Sequence, residues 1–247
     1  LHDALPISGG TVVHMSAGWA ALAGALFLKK RTEILHDPSR ISYVILGTAL
    51  LWFGWFGFNA GSAVGSSSLA VQAFVNTTVA SAAAGIGWGF IEKFKGKKLS
   101  AMGICIGSVV GLVAITPAAG YVSTAHSIII GLVAVVVSSF VVDLRGKTNI
   151  DDTLDVFPCH GVGGMVGMLL TGVFADPAIN PAVVEPGLMF GETSLFIKHV
   201  IALLGVSVFA FGGSYALLYI TNLITPLRVN EEYEKEGLDR SQHGESM

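Results

Sequence analysis

Two imidazoles stand in runs too apolar to hydrate them: His14 in GGTVVHMSAGWAALAG and His160 in DVFPCHGVGGMVG. Histidine titrates near neutral pH, so it can donate, accept and relay protons where no other unperturbed side chain does. At membrane depth an ionisable group costs about 3 kcal/mol or more, and its presence points to function by default. The competing reading is a neutral His that hydrogen-bonds across helices and only glues them together. Small residues bear on the choice. Gly18, Ala21 and Ala25 follow His14 at helical spacing, and Gly163, Gly164 and Gly167 follow His160. Both helices can therefore be approached closely, and the two rings can meet. If they act as a pair, their nitrogens come within about 3 Å. Both rings are then shielded from water and mainly neutral, because two imidazolium charges repel strongly at low dielectric. His2, His36, His126, His199 and His243 fall in the leader, in loops, near span ends or in the tail. No Asp or Glu lies mid-span to complete a metal site, so no metal and no cofactor is expected.

A second constellation is LLWFGWFGFNAGSA, which carries Trp52, Trp55, Phe56 and Phe58, then Asn59 and Ser62. The aromatics read either as an interfacial belt or as a ring face that holds a small cation and excludes water. Gly161, Gly164 and Gly167 resemble a nucleotide-loop spacing, but they sit inside an apolar span rather than between a strand and a helix.

The elements that must position these residues follow from composition. Of 247 residues, 52% are hydrophobic and only 13% charged, where a soluble domain has about a quarter charged. The chain reads as all-α, a polytopic membrane helix bundle. Glycine, 31 residues, fits helices that touch through small faces. A net charge of −3 without a basic domain excludes nucleic acid as a partner. Cys105 and Cys159 form no spaced metal motif and read as buried thiols.

A window of about twenty apolar residues finds seven spans. They cover residues 9–28, 41–60, 69–91, 99–115, 127–142, 156–174 and 195–220. Alternation puts all but one of the 14 Lys and Arg on one side, the exception being Lys198. The positive-inside rule then places the C-terminal tail in the cytoplasm. The tail acids Glu231, Glu232, Glu234 and Glu236 read as a solvated helix face.

Several motifs, in order and together, carry a resemblance: GGTVVHMSAG, WFGFNAGSA, AFVNTTVASAAAGIGW, GLVAITPAAGYV, DVFPCHGVGGMVG and EGLDRSQHGE. The chain resembles the C-terminal portion of an ammonium transporter of the Amt/Mep/Rh superfamily. That resemblance implies an eleven-helix inverted-repeat transporter fold, of which this chain holds helices five to eleven. It also implies a homotrimer with a separate pore in each subunit, in the cytoplasmic (inner) membrane. His14 and His160 are then the family's twin-His pair. Phe58 is similar to one of two phenyl rings that close the pore. Ser62 matches the ammonium-recruitment hydroxyl, and Leu51, Trp55 and Val156 match pore-lining residues. The tail, with Gly237, Leu238, Asp239, His243 and Gly244 in its motif, is similar to one that docks on a neighbouring subunit and answers to a PII-type regulatory protein.

Two departures qualify the resemblance. The family's Asp eight residues before the first of the twin His is here Pro6. Residues 1–8 are read as a non-native leader, since Leu1 to Ile7 can be encoded by the end of a common sequencing adapter. The expected organisation is thus a leader over 1–8, a truncated transporter domain over 9–224 and a cytoplasmic regulatory tail over 225–247, with the chain inactive by itself.

The implied chemistry is proton-dependent selection. Ammonium resembles potassium in size and charge but can shed a proton, so a narrow apolar lumen lined by imidazoles passes ammonia and refuses potassium. An ammonium sensor on the same fold would signal through its tail and needs an output domain, and the chain ends at Met247 without one. An intramembrane metal enzyme needs carboxylates that the spans do not supply.

Overall fold

The computed structural model describes residues 9–32 and 40–245. The expected leader over 1–8, with His2 and Pro6, lies outside the described residues, and so does His36. Every regular element among the described residues is helical. In chain order they are α1 (Gly10–Leu28), α2 (Ile41–Asn59), α3 (Ser68–Phe94), α4 (Ala101–Ile115), α5 (Thr124–Arg145), α6 (Phe157–Phe174), α7 (Ser194–Ile224) and the short α8 (Glu231–Glu236). Short 3-10 turns, Gly61–Ala63 and Leu188–Phe190, follow α2 and precede α7.

Six of these helices are long and apolar enough to cross a membrane. The fourth differs from expectation, because α4 has only 15 residues and rises about 22 Å, short of the roughly 30 Å hydrocarbon core. Pro117 explains the stop: it has no N–H to donate back to the preceding turn, although Thr116 before it still keeps helical geometry. The chain continues as turns over 116–121 that stay buried. Asn76 of α3 replaces the missing helical bonds, its Nδ2 donating to the carbonyls of Ala119 (2.9 Å) and Val122 (2.8 Å).

Helices α3 and α7 begin one residue before the apolar windows and α5 three residues before, and all three run three or four residues past them at the far end. Ser67, Ser100 and Ser123 cap α3, α4 and α5 by accepting from Ala70, Gly103 and His126 N–H, which satisfies donors that the helix itself leaves open. Helices α3, α4 and α5 interlock through small residues. A Cβ at Gly111 would lie 2.6 Å from the Ala80 carbonyl oxygen, and one at Gly131 only 2.4 Å from the same atom.

Charged contacts gather at one end of the bundle. Lys95 of α3 pairs with Asp143 of α5, Arg145 with Asp155 ahead of α6, and Arg31 beyond α1 with Asp151. Arg228 beyond α7 donates to the carbonyls of Leu28 and Lys30. The opposite end carries the Lys198–Glu185 pair. Residues assigned to one compartment by alternation therefore share one end of the fold.

Candidate functional site

Both central imidazoles lie in π-helical turns. His14 belongs to Gly10–Met15 and His160 to Phe157–Val162, and each run then tightens into an α-helix, Ser16–Leu28 and Gly163–Phe174. Such wide turns are rare and concentrate at functional sites. Pro158 stands at the start of the second, where the N–H it lacks would have no acceptor within the helix.

Helices α1 and α6 cross one turn beyond His14, where only glycine fits. A Cβ at Gly18 would lie 2.2 Å from both the Cα and the N of Gly161. Gly167 is as tightly met, by the Ala114 carbonyl oxygen at 2.2 Å from a Cβ, and Gly164 less so, by Met15 at 3.1 Å. This crossing brings the rings together. His14 Nδ1 and His160 Nδ1 are 3.3 Å apart across 146 residues of sequence, with centroids at 5.4 Å and planes tilted by 34°. Two ring nitrogens at that separation can share one proton as donor and acceptor, which requires complementary tautomers. His14 is 5% exposed, whereas His160 is half-buried.

The face of α2 walls the pair. Trp55 stacks on His14 at 4.9 Å with a 12° angle between planes. Phe58 meets the same ring edge-on at 5.8 Å and stands perpendicular to Trp55. The indole N–H of Trp55 donates to Thr116 Oγ1 at 2.8 Å, and that hydroxyl donates to the Leu112 carbonyl. Trp55 thus cannot rotate off the imidazole without breaking a buried bond.

Of the expected site residues, the structure gathers His14, His160, Trp55 and Phe58 into one cluster. Leu51 lies one turn before Trp55 on α2 and is 54% exposed. Val156 begins the approach to α6, its N–H bonded to Asp152 Oδ1 at 3.0 Å. Ser62 follows Phe58 by one turn and donates its hydroxyl back to the Phe58 carbonyl. Gly237, Leu238, Asp239, His243 and Gly244 lie outside the cluster, on the mostly exposed tail.

Three features escaped the sequence reading. Thr116 fixes Trp55, and its only signal was its place in AITPAAG beside Pro117. Asp152 anchors the start of α6 through both carboxylate oxygens, at the same eight-residue distance before His160 that separates Pro6 from His14. His199, assigned near a span end, is fully buried, with Nδ1 2.8 Å from the Met168 carbonyl. The apolar window over 195–220 contains it, but beside Lys198 near the start of that window nothing in the sequence shows that the ring is buried.

A further correction concerns the tail acids. Glu234 is not simply solvated: its Oε1 accepts from Thr32 N–H at 2.6 Å and its Oε2 from Arg228 at 3.0 Å. Those donors hold its carboxyl below the usual carboxylate range, the Thr32 N–H most of all.

Comparison with known proteins places this geometry. An ammonium transporter of Bacillus subtilis is 44% identical over 244 residues, covering 98% of this chain and 60% of that protein. A putative ammonium transporter of Methanothermobacter thermautotrophicus is 43% identical over all 247 residues, again 60% of its own length. The crystal structure of Mep2 from Candida albicans superposes with a TM-score of 0.87 at 36% identity, over 94% of this chain and 54% of that one. The chain thus spans 60% of the length of these curated relatives. Residues 3–247 match the Ammonium Transporter Family, and the chain, a multi-pass helical membrane protein, belongs to it.

Proposed function

We propose that this chain supplies one wall of an ammonium-conducting pore, carried by the contact between His14 and His160 beneath Trp55 and Phe58. Ammonium is recruited at the Ser62 end of α2, gives up its proton near Phe58, and ammonia passes along the imidazole pair between Leu51 and Val156. Potassium has no proton to shed and meets an apolar constriction instead. The stacking of Trp55 on His14 supports this reading, since Thr116 holds the indole in register and the indole fixes the plane of the imidazole at the pair.

The wall is one-sided in this chain: Leu51 is largely exposed and His160 half-buried, so residues 9–247 alone do not enclose a lumen and do not conduct. The assembly is a homotrimer in the cytoplasmic membrane, with the tail on the cytoplasmic side because that end holds the basic residues. The exposed motif of Gly237, Leu238, Asp239, His243 and Gly244 takes a PII-type regulatory protein as partner.

The test is methylammonium uptake by a transport-deficient host expressing the complete gene that contains this chain. His14→Ala and His160→Ala should each impair conduction or admit potassium while reaching the membrane at normal abundance. Full, selective uptake by both variants returns the pair to a packing role.

A further inference from the structure

We propose that Asn76 and Thr77, neighbours on α3, are positioning residues for the pore wall: through two separate hydrogen-bonded arms they fix where Trp55 and Phe58 stand over His14. The inference rests on the imidazole pair being the conducting site. It starts from how little holds α2. Trp55 and Asn59 are the two residues of that helix that are buried, and they stand one turn apart on one face. Each ends in a hydrogen bond to another segment, Trp55 Nε1 to Thr116 Oγ1 at 2.8 Å and Asn59 Nδ2 to Thr77 Oγ1 at 3.0 Å. Two anchors one turn apart set both the height of α2 and its rotation about its own axis. They thereby place Phe58, which lies between them in sequence and has no polar group of its own to hold it.

The first arm runs through backbone that is no longer helical. Thr116 opens the buried turns that follow α4, and Asn76, fully buried on α3, donates from Nδ2 to the carbonyls of Ala119 and Val122 at 2.9 and 2.8 Å. Gln72, one turn earlier on α3, donates to Asn76 Oδ1 at 3.2 Å and to the same Val122 carbonyl at 3.3 Å. That contact settles which way the Asn76 amide points, with its donors toward the turn. Carbonyls at membrane depth need a partner inside the protein, so removal of these donors obliges the turn to move. Its first residue is the acceptor for Trp55. Asn76 therefore acts on the stack of Trp55 over His14 by way of Thr116.

The second arm is direct. Thr77, also fully buried, donates its hydroxyl to the Ala73 carbonyl at 2.6 Å, which leaves the oxygen free to accept from Asn59. Asn59 immediately follows Phe58, whose ring meets His14 edge-on at 5.8 Å. A threonine that bonds the carbonyl four residues back is ordinary in a helix. Thr78 does the same on the next position, donating to Phe74 at 3.0 Å, and it makes no bond to α2 among the described residues. Thr77 differs by also accepting, in a buried place, from one of the two residues that anchor α2. Adjacent side chains of one α3 turn thus hold both aromatic rings that enclose the imidazole.

The experiment compares uptake of methylammonium with uptake of rubidium, a potassium tracer, by the complete transporter at matched membrane abundance. Thr77→Val keeps the shape and removes the acceptor for Asn59, and Asn76→Leu removes both donors to the turn. Each should lower the methylammonium-to-rubidium ratio about fivefold or more, the loss that one buried hydrogen bond carries. Thr77→Ser, which keeps the hydroxyl, should restore the ratio, and Thr78→Val should match the parent. A role in packing alone would lower abundance and leave the ratio per molecule unchanged. Asn76→Leu and Thr116→Val open the same arm, so the double variant should be no worse than the poorer single one. If Asn76→Leu does not reach the membrane, Gln72→Leu, which frees the Asn76 amide without removing it, should lower the same ratio to a smaller extent. A parent-like ratio in Thr77→Val, or multiplied losses when Asn76→Leu or Gln72→Leu is combined with Thr116→Val, overturns the proposal. His14→Ala and His160→Ala with α3 intact report on the pore reading separately. Impaired conduction in both of those, with parent ratios in the α3 variants, removes the positioning role alone.

Discussion

The crossing of α1 and α6 at Gly18 offers the sharpest perturbation of the site, because one methyl group there acts on the imidazole pair without touching it. A Cβ on residue 18 would sit 2.2 Å from Gly161 Cα and N, whereas ordinary contact begins near 3.4 Å. The helices must part by up to the difference of those two distances, on the order of 1 Å, against backbone that cannot swing aside. His14 Nδ1 and His160 Nδ1 stand at 3.3 Å, and a separation of roughly 3.6 Å is no longer a hydrogen bond. About a quarter of the forced displacement is therefore enough to break the pair. Gly18→Ala should cost about 1–3 kcal/mol in stability and reduce methylammonium uptake at normal membrane abundance. Gly161→Ala should be milder, since its Cβ would meet Gly18 Cα at 3.3 Å and only the movable Phe157 ring closer. Gly24→Ala, on the same helix with nothing within 4 Å, is the control. Uptake and thermal stability of the purified variants give the order. Unimpaired conduction by Gly18→Ala, or a larger loss in Gly161→Ala, refutes the claim that this crossing sets the ring contact.

Two further outcomes are expected. Thr116→Val leaves the buried Trp55 indole N–H without its acceptor, at a cost of about 1–3 kcal/mol. It should slow uptake and shift indole fluorescence, while Thr116→Ser, which keeps the hydroxyl, should stay near wild type. Glu234 carries the pH dependence of tail docking. Its carboxyl is held low by Thr32 N–H and then Arg228, so its contribution is present above the ordinary carboxylate range and lost as pH falls through the depressed value. Amide protection in residues 231–236, referred to the intrinsic exchange rate at each pH, should fall on acidification and at neutral pH in Glu234→Gln. Equal protection across that range shows that the ion cluster does not hold the tail.

The spans were legible because a bilayer demands apolar length, which a sequence cannot hide, and the ion pairs of the residues that alternation puts on one side gather at one end of the fold. The imidazole contact was legible too, through the glycines that let α1 and α6 cross. What stayed hidden was polar and local. Nothing in the run over 99–115 shows that Pro117 stops α4 short, or that Asn76 takes up the carbonyls of the buried turn, since a hydropathy window weighs side chains and not backbone bonds. Thr116 acts through a hydrogen bond from Trp55, 61 residues away in sequence, and Asp152 through local bonds from Val156 and Phe157 N–H that a hydropathy window does not weigh. Glu234 looks like any solvated acid until the fold places Thr32 and Arg228 against it.

The two imidazoles are not equivalent, and that asymmetry sets a direction for the shared proton. His14 is enclosed by Trp55 and Phe58, and its Nε2 is buried with no partner among the described residues. A buried N–H without an acceptor is the rarer and costlier orphan, while an under-used acceptor is better tolerated. The favourable tautomer therefore leaves Nε2 of His14 bare and puts its proton on Nδ1, which donates across the 3.3 Å contact to Nδ1 of His160. His160 then carries its proton on Nε2, on the half-buried side of the pair. A small molecule with several N–H donors and one lone pair, as ammonia has, would donate to His14 and accept from His160, so the pair presents it with an acceptor and a donor in sequence. Nitrogen chemical shifts of labelled histidine in the complete transporter distinguish a bare from a protonated Nε2. A protonated Nε2 on His14 and a bare one on His160 would reverse the assignment and the order in which the pair offers its acceptor and its donor.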